Sequence, residues 1–147
     1  MTNRLFIIHG WGGNPQEGWF PWLKQVLEKK GWEVHLPSMP NPKTPEIIPW
    51  VRHLKKIVGK PDPHTFFIGH SIGCQTIMRY LETLPDDAQV GGCIFVAGWI
   101  HLTPAAMPDD DARATAKPWL ETPIGWHRVR DHTENFVAVF SDNDPYV

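Results

Sequence analysis

Between His64 and Leu84 the period of the sequence changes within a few residues. Thr65-Phe66-Phe67-Ile68 is a short apolar run, Gly69-His70-Ser71-Ile72-Gly73 interrupts it, and Cys74, Ile77, Met78, Leu81 and Leu84 then recur at helical spacing. This reads as strand, sharp turn, helix. In so tight a turn strand and helix come too close for a Cβ on either side, hence the two glycines, and the serine is held in a strained conformation with its Oγ lifted clear of the sheet. The helix N-terminus beside it aims backbone N–H groups and the positive end of the helix dipole at any negative charge that develops there. A Gly-x-Ser-x-Gly stretch also occurs as a plain turn; the strand before it and the helix after it separate the two readings.

The remaining elements follow the same alternation. Arg4-Leu5-Phe6-Ile7-Ile8 is a continuous apolar run, as expected of a strand buried on both faces, and it ends in the Gly-rich turn His9-Gly10-Trp11-Gly12-Gly13. Pro21 is expected to open a helix carrying Trp22, Leu23, Val26 and Leu27 on one face, with Lys29 and Lys30 in its last turn and Gly31 as its stop. Glu33-Val34-His35-Leu36 is a weaker strand, followed by a rigid Pro-rich connection, 37–42. Thr44-Pro45-Glu46 marks a helix start, and Ile48, Val51, Leu54, Ile57 and Val58 supply its apolar stripe up to Gly59, with Pro49 able to delay or kink the first turn. Gly92 to Gly98 is a fourth strand, delivering Trp99 and His101 past its end, and Phe136 to Phe140 is a fifth. A short helix is expected around 125–131. The stretch 103–122 shows little periodicity, and Asp109-Asp110-Asp111 within it reads as solvated surface or a helix start rather than a metal site. Near-continuous apolar strands alternating with helices predict a parallel sheet covered on both faces, reached by right-handed crossovers.

Composition narrows the class. The length of 147 residues, 41% of them hydrophobic and 20% charged, fits one domain, 1–147, with a sizeable core. Fourteen Lys and Arg against 16 Asp and Glu give a net charge of -2 without a basic cluster, which argues against nucleic-acid or anionic-membrane partners. No apolar run approaches the roughly 20 residues of a bilayer span, and no signal peptide precedes the first strand, so a soluble, cytoplasmic protein is expected. Cys74 and Cys93 sit at core-facing positions and read as buried thiols, neither a disulfide nor a ligand pair. Of the eight tryptophans, Trp22 and Trp50 are expected in the core. Oligomeric state is not readable, with a monomer as the default.

In open parallel sheets ligands bind beyond the carboxyl ends of the strands. Three chemically suggestive loops fall there: His9 to Gly13, Gly69 to Gly73, and Ser141 to Val147. Beyond these, Gly18-Trp19-Phe20-Pro21-Trp22-Leu23, Met39-Pro40-Asn41-Pro42, Ile68-Gly69-His70-Ser71, Met78-Arg79-Tyr80 and Ser141-Asp142-Asn143-Asp144-Pro145 resemble, in order and spacing along the whole chain, the alpha/beta-hydrolases, and among them the small serine hydrolases of the retinoblastoma-binding protein 9 type. The resemblance implies a sheet of order 2-1-3-4-5 with Ser71 as nucleophile and Asp144 as the acid of a triad, Asp142 being the runner-up. It also implies an oxyanion hole from the backbone N–H groups of Trp11 and Ile72. The chemistry implied is acyl transfer on a small ester or related acyl substrate, with no cofactor. A non-catalytic interaction module on the same fold is the alternative; a phosphate or nucleotide binder fits less well, because the first loop lacks a Lys-Ser/Thr cradle.

His9 and His70 are expected to shape their turns by hydrogen bonding rather than to act as bases, and Trp99, Met39 and Trp119 to wall an acyl pocket or fill the core. In this fold the triad runs Ser, then Asp or Glu, then His, yet no histidine follows Asp144. The expectation is therefore a chain that stops before its catalytic histidine, its last strand left as an apolar edge. His101 is the substitute base to be tested against that.

Overall fold

The five apolar runs pair as one parallel sheet in a computed structural model that describes Met1–Val147. In chain order the elements are β1 (Arg4–Ile8), α1 (Phe20–Glu28), β2 (Glu33–His35), α2 (Ile47–Val58), β3 (Thr65–His70), α3 (Ile72–Leu81), β4 (Gly92–Val96), a 3-10 turn (Pro104–Ala106), α4 (Asp110–Glu121), α5 (Trp126–Asp131) and β5 (Phe136–Val139). The sheet order is β2-β1-β3-β4-β5, as the resemblance implied, and every pair is parallel. The chain leaves β1 for one edge and returns past it to β3, so the topological switch lies between the carboxyl ends of β1 and β3.

Alternation along the strands divides the core in two. Phe6, Ile8, Phe67, Cys93 and Phe95 pack with Trp50, Leu54 and Val58 of α2, the inner face of α3, Trp119 of α4 and Val129 of α5. Leu5, Ile7, Val34 and Ile68 point the other way, onto Phe20, Leu23 and Leu27 of α1. The second face is thus covered only by α1, and over β4 and β5 it is bare: Ile94, Val137 and Val139 are exposed. No helix is long and apolar enough to cross a membrane.

Several expectations are corrected at this level. Trp22 is 63% exposed, because α1 begins at Phe20 and buries positions 20, 23 and 27, which leaves 22 on the solvent side. Lys29 and Lys30 lie past the end of that helix, and Gly31 takes φ +86 in the turn that follows. Ile48 is 66% exposed for the same reason: the stripe of α2 is Ile47, Trp50, Val51, Leu54, Ile57 and Val58, with Pro49 inside the first turn. Trp50 is fully buried as expected, its Nε1 donating to the Pro40 carbonyl at 2.7 Å and so pinning the Pro-rich loop.

The unpatterned stretch 103–122 holds a 12-residue helix, α4. The helix-start reading of the aspartates is the one realised: the Asp109 carboxylate accepts from Ala112 N at 2.8 Å, and Asp110 and Asp111 occupy the first turn. Its inward face is Ala116 and Trp119, too little hydropathy to register as a period. Both cysteines are free and buried; burial pushes the Cys74 thiol up to about 12 and that of Cys93 upward as well.

Candidate active site

Ser71 follows β3 directly and caps α3, with φ +55, a value that only Asn41 and Ala97 approach among non-glycine residues. The strain has a visible cause. A Cβ on Gly69 would stand 2.6 Å from Cys74 N, and one on Gly73 would fall against the Ile8 carbonyl and 2.8 Å from that of His9. Helix α3 therefore starts on top of the end of β1, an approach only glycine allows. Ser71 N donates to Val96 O at 2.9 Å, tying the turn to β4, and Ser71 O accepts from Cys74 N at 3.0 Å. As the first helical residue, Ile72 presents an N–H with no intrahelical acceptor.

The turn after β1 stands beside it. His9 is buried, and its Nε2 accepts from Met39 N at 3.0 Å, which places the proton on Nδ1, donating to Gly10 O at 2.8 Å. Burial lowers its pKa, partly opposed by the Gly10 bond and by Glu17, so the ring is a neutral strut between two loops. The turn closes through Gly13 N to Gly10 O at 3.1 Å and Gly12 N to Pro42 O at 2.7 Å. The Trp11 indole donates to Lys43 O at 2.9 Å, while the Trp11 amide donates to no protein acceptor. Gly10 faces Ser71: a Cβ there would lie 3.1 Å from Ser71 Cβ and 3.2 Å from His70 Nδ1.

His9 thus shapes its turn by hydrogen bonding, as expected, but His70 does not. The buried Nδ1 of His70 has no partner, and the ring packs edge-on to Phe20 at 6.1 Å. Burial lowers its pKa, with Glu17 and Asp144 opposing.

Trp11, Ser71, Trp99, Leu102, Ala106 and Asp144 line one open cleft of about 960 Å³ at the carboxyl end of the sheet. Asp144 is half-buried and accepts from Tyr146 N at 2.9 Å; Asp142 is exposed and outside the cleft. The segment carrying Asp144 is clipped to the loop after β4 by Thr103 N to Tyr146 O at 2.9 Å and Thr103 Oγ1 to Pro145 O at 2.6 Å. Met39 and Trp119 belong to the core instead, Trp119 donating through Nε1 to Pro45 O at 2.9 Å. Trp99 does line the cleft, and it does something the sequence did not announce: its Nε1 donates to Ser71 Oγ at 3.1 Å. The only local hint was its place just past the strand that neighbours β3. His101, also past that strand, is exposed and lines no part of the cleft.

Known proteins resemble this chain in sequence and in backbone. YdeN of Bacillus subtilis (strain 168) is 35% identical over 111 residues, 76% of this chain, and the chain spans 58% of that relative's length. Serine hydrolase RBBP9 of Rattus norvegicus is 26% identical over 147 residues, covering 98% of this chain and 73% of the relative. The crystal structure of the B. subtilis ydeN gene product superposes with a TM-score of 0.86 at 27% identity, over 97% of this chain and 73% of that one, so the backbone likeness extends beyond the 111 residues aligned by sequence. A Paleococcus ferrophilus monoacylglycerol lipase, 22% identical with a TM-score of 0.59 over 82% of this chain and 49% of its own, shares the fold. A family model described as Serine hydrolase matches residues 5–147, a span that contains both glycine turns and the segment bearing Asp144. The chain belongs to the serine hydrolase family.

Proposed function

We propose that the cleft performs two-step acyl transfer on a small ester or related acyl substrate, with Ser71 as nucleophile. The observation that carries this reading is the meeting of three features: Ser71 strained at φ +55 on the cleft wall, an unengaged Trp11 amide beside it, and Asp144 in the same cleft. Ser71 Oγ bonds to the substrate carbonyl carbon as its proton passes to a base. The oxyanion then faces the N–H groups of Trp11 and Ile72, the alcohol departs with the proton, and water repeats the sequence to free the acid. Asp144 is the acid that orients the base. No step calls for a cofactor.

The side-chain hydrogen bond to Ser71 Oγ comes from Trp99, not from a base. None of the eight histidines hydrogen bonds to Ser71 Oγ; His9 has both ring nitrogens engaged elsewhere, His70 reaches the cleft but packs its ring edge-on to Phe20, and His101 lies outside the cleft. We assign the role to a histidine outside these 147 residues. The test compares p-nitrophenyl acetate hydrolysis by this chain with that by a chimera in which Val147 is followed by the part of YdeN beyond the matched stretch. Turnover in the chimera, lost when a histidine of the added part is replaced, is the expected result. Robust turnover by the 147-residue chain, abolished by His101→Ala, would overturn the assignment of the base. A chimera that folds and turns over no ester would favour a binding module on this fold.

A further inference from the structure

Ser71, Gln75 and Arg79 follow one another at intervals of four along α3 and so share a face of the helix. Hydrogen bonds join them through Trp99. Trp99 Nε1 donates to Ser71 Oγ at 3.1 Å, and the Trp99 carbonyl accepts from Gln75 Nε2 at 2.9 Å. Gln75 Oε1 accepts from Arg79 Nε at 3.2 Å and Nη2 at 3.0 Å. Arg79 donates onward to the carbonyls of Trp119 at 3.3 Å, Thr122 at 2.8 Å and Pro123 at 3.3 Å, at the end of α4. Gln75 is 0% and Arg79 4% exposed, so the middle of the set lies inside the protein between the cleft at Ser71 and the surface at Thr122 and Pro123.

A guanidinium buried on carbonyls and an amide, with Glu82 near enough to act on its charge but not to form a salt bridge, is a costly way to fill a core; an apolar side chain would serve packing better. What a fully satisfied polar network provides is one fixed arrangement. The backbone around Trp99 is shaped to receive it. Ala97 takes φ +50 at the end of β4, and Gly98 lies on Cys74, where a Cβ would stand 3.1 Å from Cys74 Cβ. That turn aims the Trp99 carbonyl into the protein and its ring at the nucleophile.

Resting on the reading of Ser71 as the nucleophile, we propose that Gln75 is a positioning residue for Ser71 that acts through Trp99, anchored by Arg79 to the C-terminal end of α4. An indole N–H can only donate. It occupies one lone pair of Oγ, which turns the hydroxyl hydrogen toward the base and leaves the other lone pair for the substrate carbon. When Oγ loses its proton to the base, the indole keeps its own, and its bond to the more negative oxygen strengthens.

Gln75→Glu separates this role from structure, because it keeps the oxygens that Arg79 needs and removes the donor to Trp99. Two measurements read it. In a ¹⁵N correlation spectrum the Trp99 indole signal, identified by its loss in Trp99→Phe, should move in Ser71→Ala and again in Gln75→Glu. In whichever chain of the preceding test reacts with a fluorophosphonate, Gln75→Glu and Trp99→Phe should each slow labelling about tenfold, the worth of one hydrogen bond, with the half-saturating reagent concentration unchanged. An indole signal unmoved in Gln75→Glu, or labelling at the original rate, would overturn the proposal. If Gln75→Glu does not fold, Trp99→Phe decides by its labelling rate. Should nothing label at all, the nucleophile reading fails on its own, and the indole shifts alone decide whether the network holds Ser71.

Discussion

Replacing Gly73 with alanine is expected to cost more than about 4 kcal/mol, enough to leave little folded protein. The added methyl would fall against the Ile8 carbonyl and 2.8 Å from that of His9, and both are backbone atoms at the carboxyl end of β1. Neither can swing aside as a side chain would. Relief requires α3 to lift off β1, which opens the core where Ile8 and Ile72 pack. Gly12→Ala is the control: nothing lies within 4 Å of a Cβ there, and only its φ of +70 opposes the change, at about 1 kcal/mol. Denaturant unfolding of the two variants measures the difference. Gly73→Ala within about 1 kcal/mol of the parent would mean that helix and strand do not approach as described.

Gly10→Val is expected to lower ester turnover by about 10²- to 10³-fold, the usual worth of one oxyanion donor. Its first side-chain carbon would sit 3.1 Å from Ser71 Cβ and 3.2 Å from His70 Nδ1, wedging the turn after β1 away from Ser71 and carrying the Trp11 amide with it. Trp11→Phe should cost less than about tenfold, because it gives up only the indole bond to Lys43 O and leaves the amide in place. Turnover of the two variants, measured in whichever of this chain and the chimera hydrolyses the ester, distinguishes backbone from side chain. Equal losses would show that Trp11 acts through its ring.

Why some of this was readable from the sequence and some was not follows from the kind of signal each part carries. Strands β1 and β3 lie inside a parallel sheet with helices on both faces, so each is a run of apolar residues; β4 keeps such a run although one of its faces is bare, and the glycines around Ser71 report a backbone approach that no other residue permits. Those are steric necessities and leave their mark locally. The faces of α1 and α2 were legible only to within one residue, since Trp22 and Ile48 are apolar residues bordering the stripe and burial there depends on where each helix begins. Helix α4 buries mainly one alanine and one tryptophan, and its clearest mark was a cap, Asp109. At the site, Ser71 and the Trp11 turn were announced by their glycines. Which of Asp144 and Asp142 reaches the cleft depends on how a loop is clipped to Thr103, and the Trp99 contact on the turn at Ala97, neither of which has a local pattern.

The most direct test of Ser71 as nucleophile is to trap the covalent intermediate. Acid quenching during turnover of a p-nitrophenyl ester, followed by digestion and mass measurement, should find the acyl group on the peptide that contains Ser71. Ser71→Ala should carry none while keeping its stability within about 1 kcal/mol of the parent, as expected for the loss of one hydroxyl. An acyl group on any other residue during turnover, or turnover undiminished in Ser71→Ala, would contradict the account.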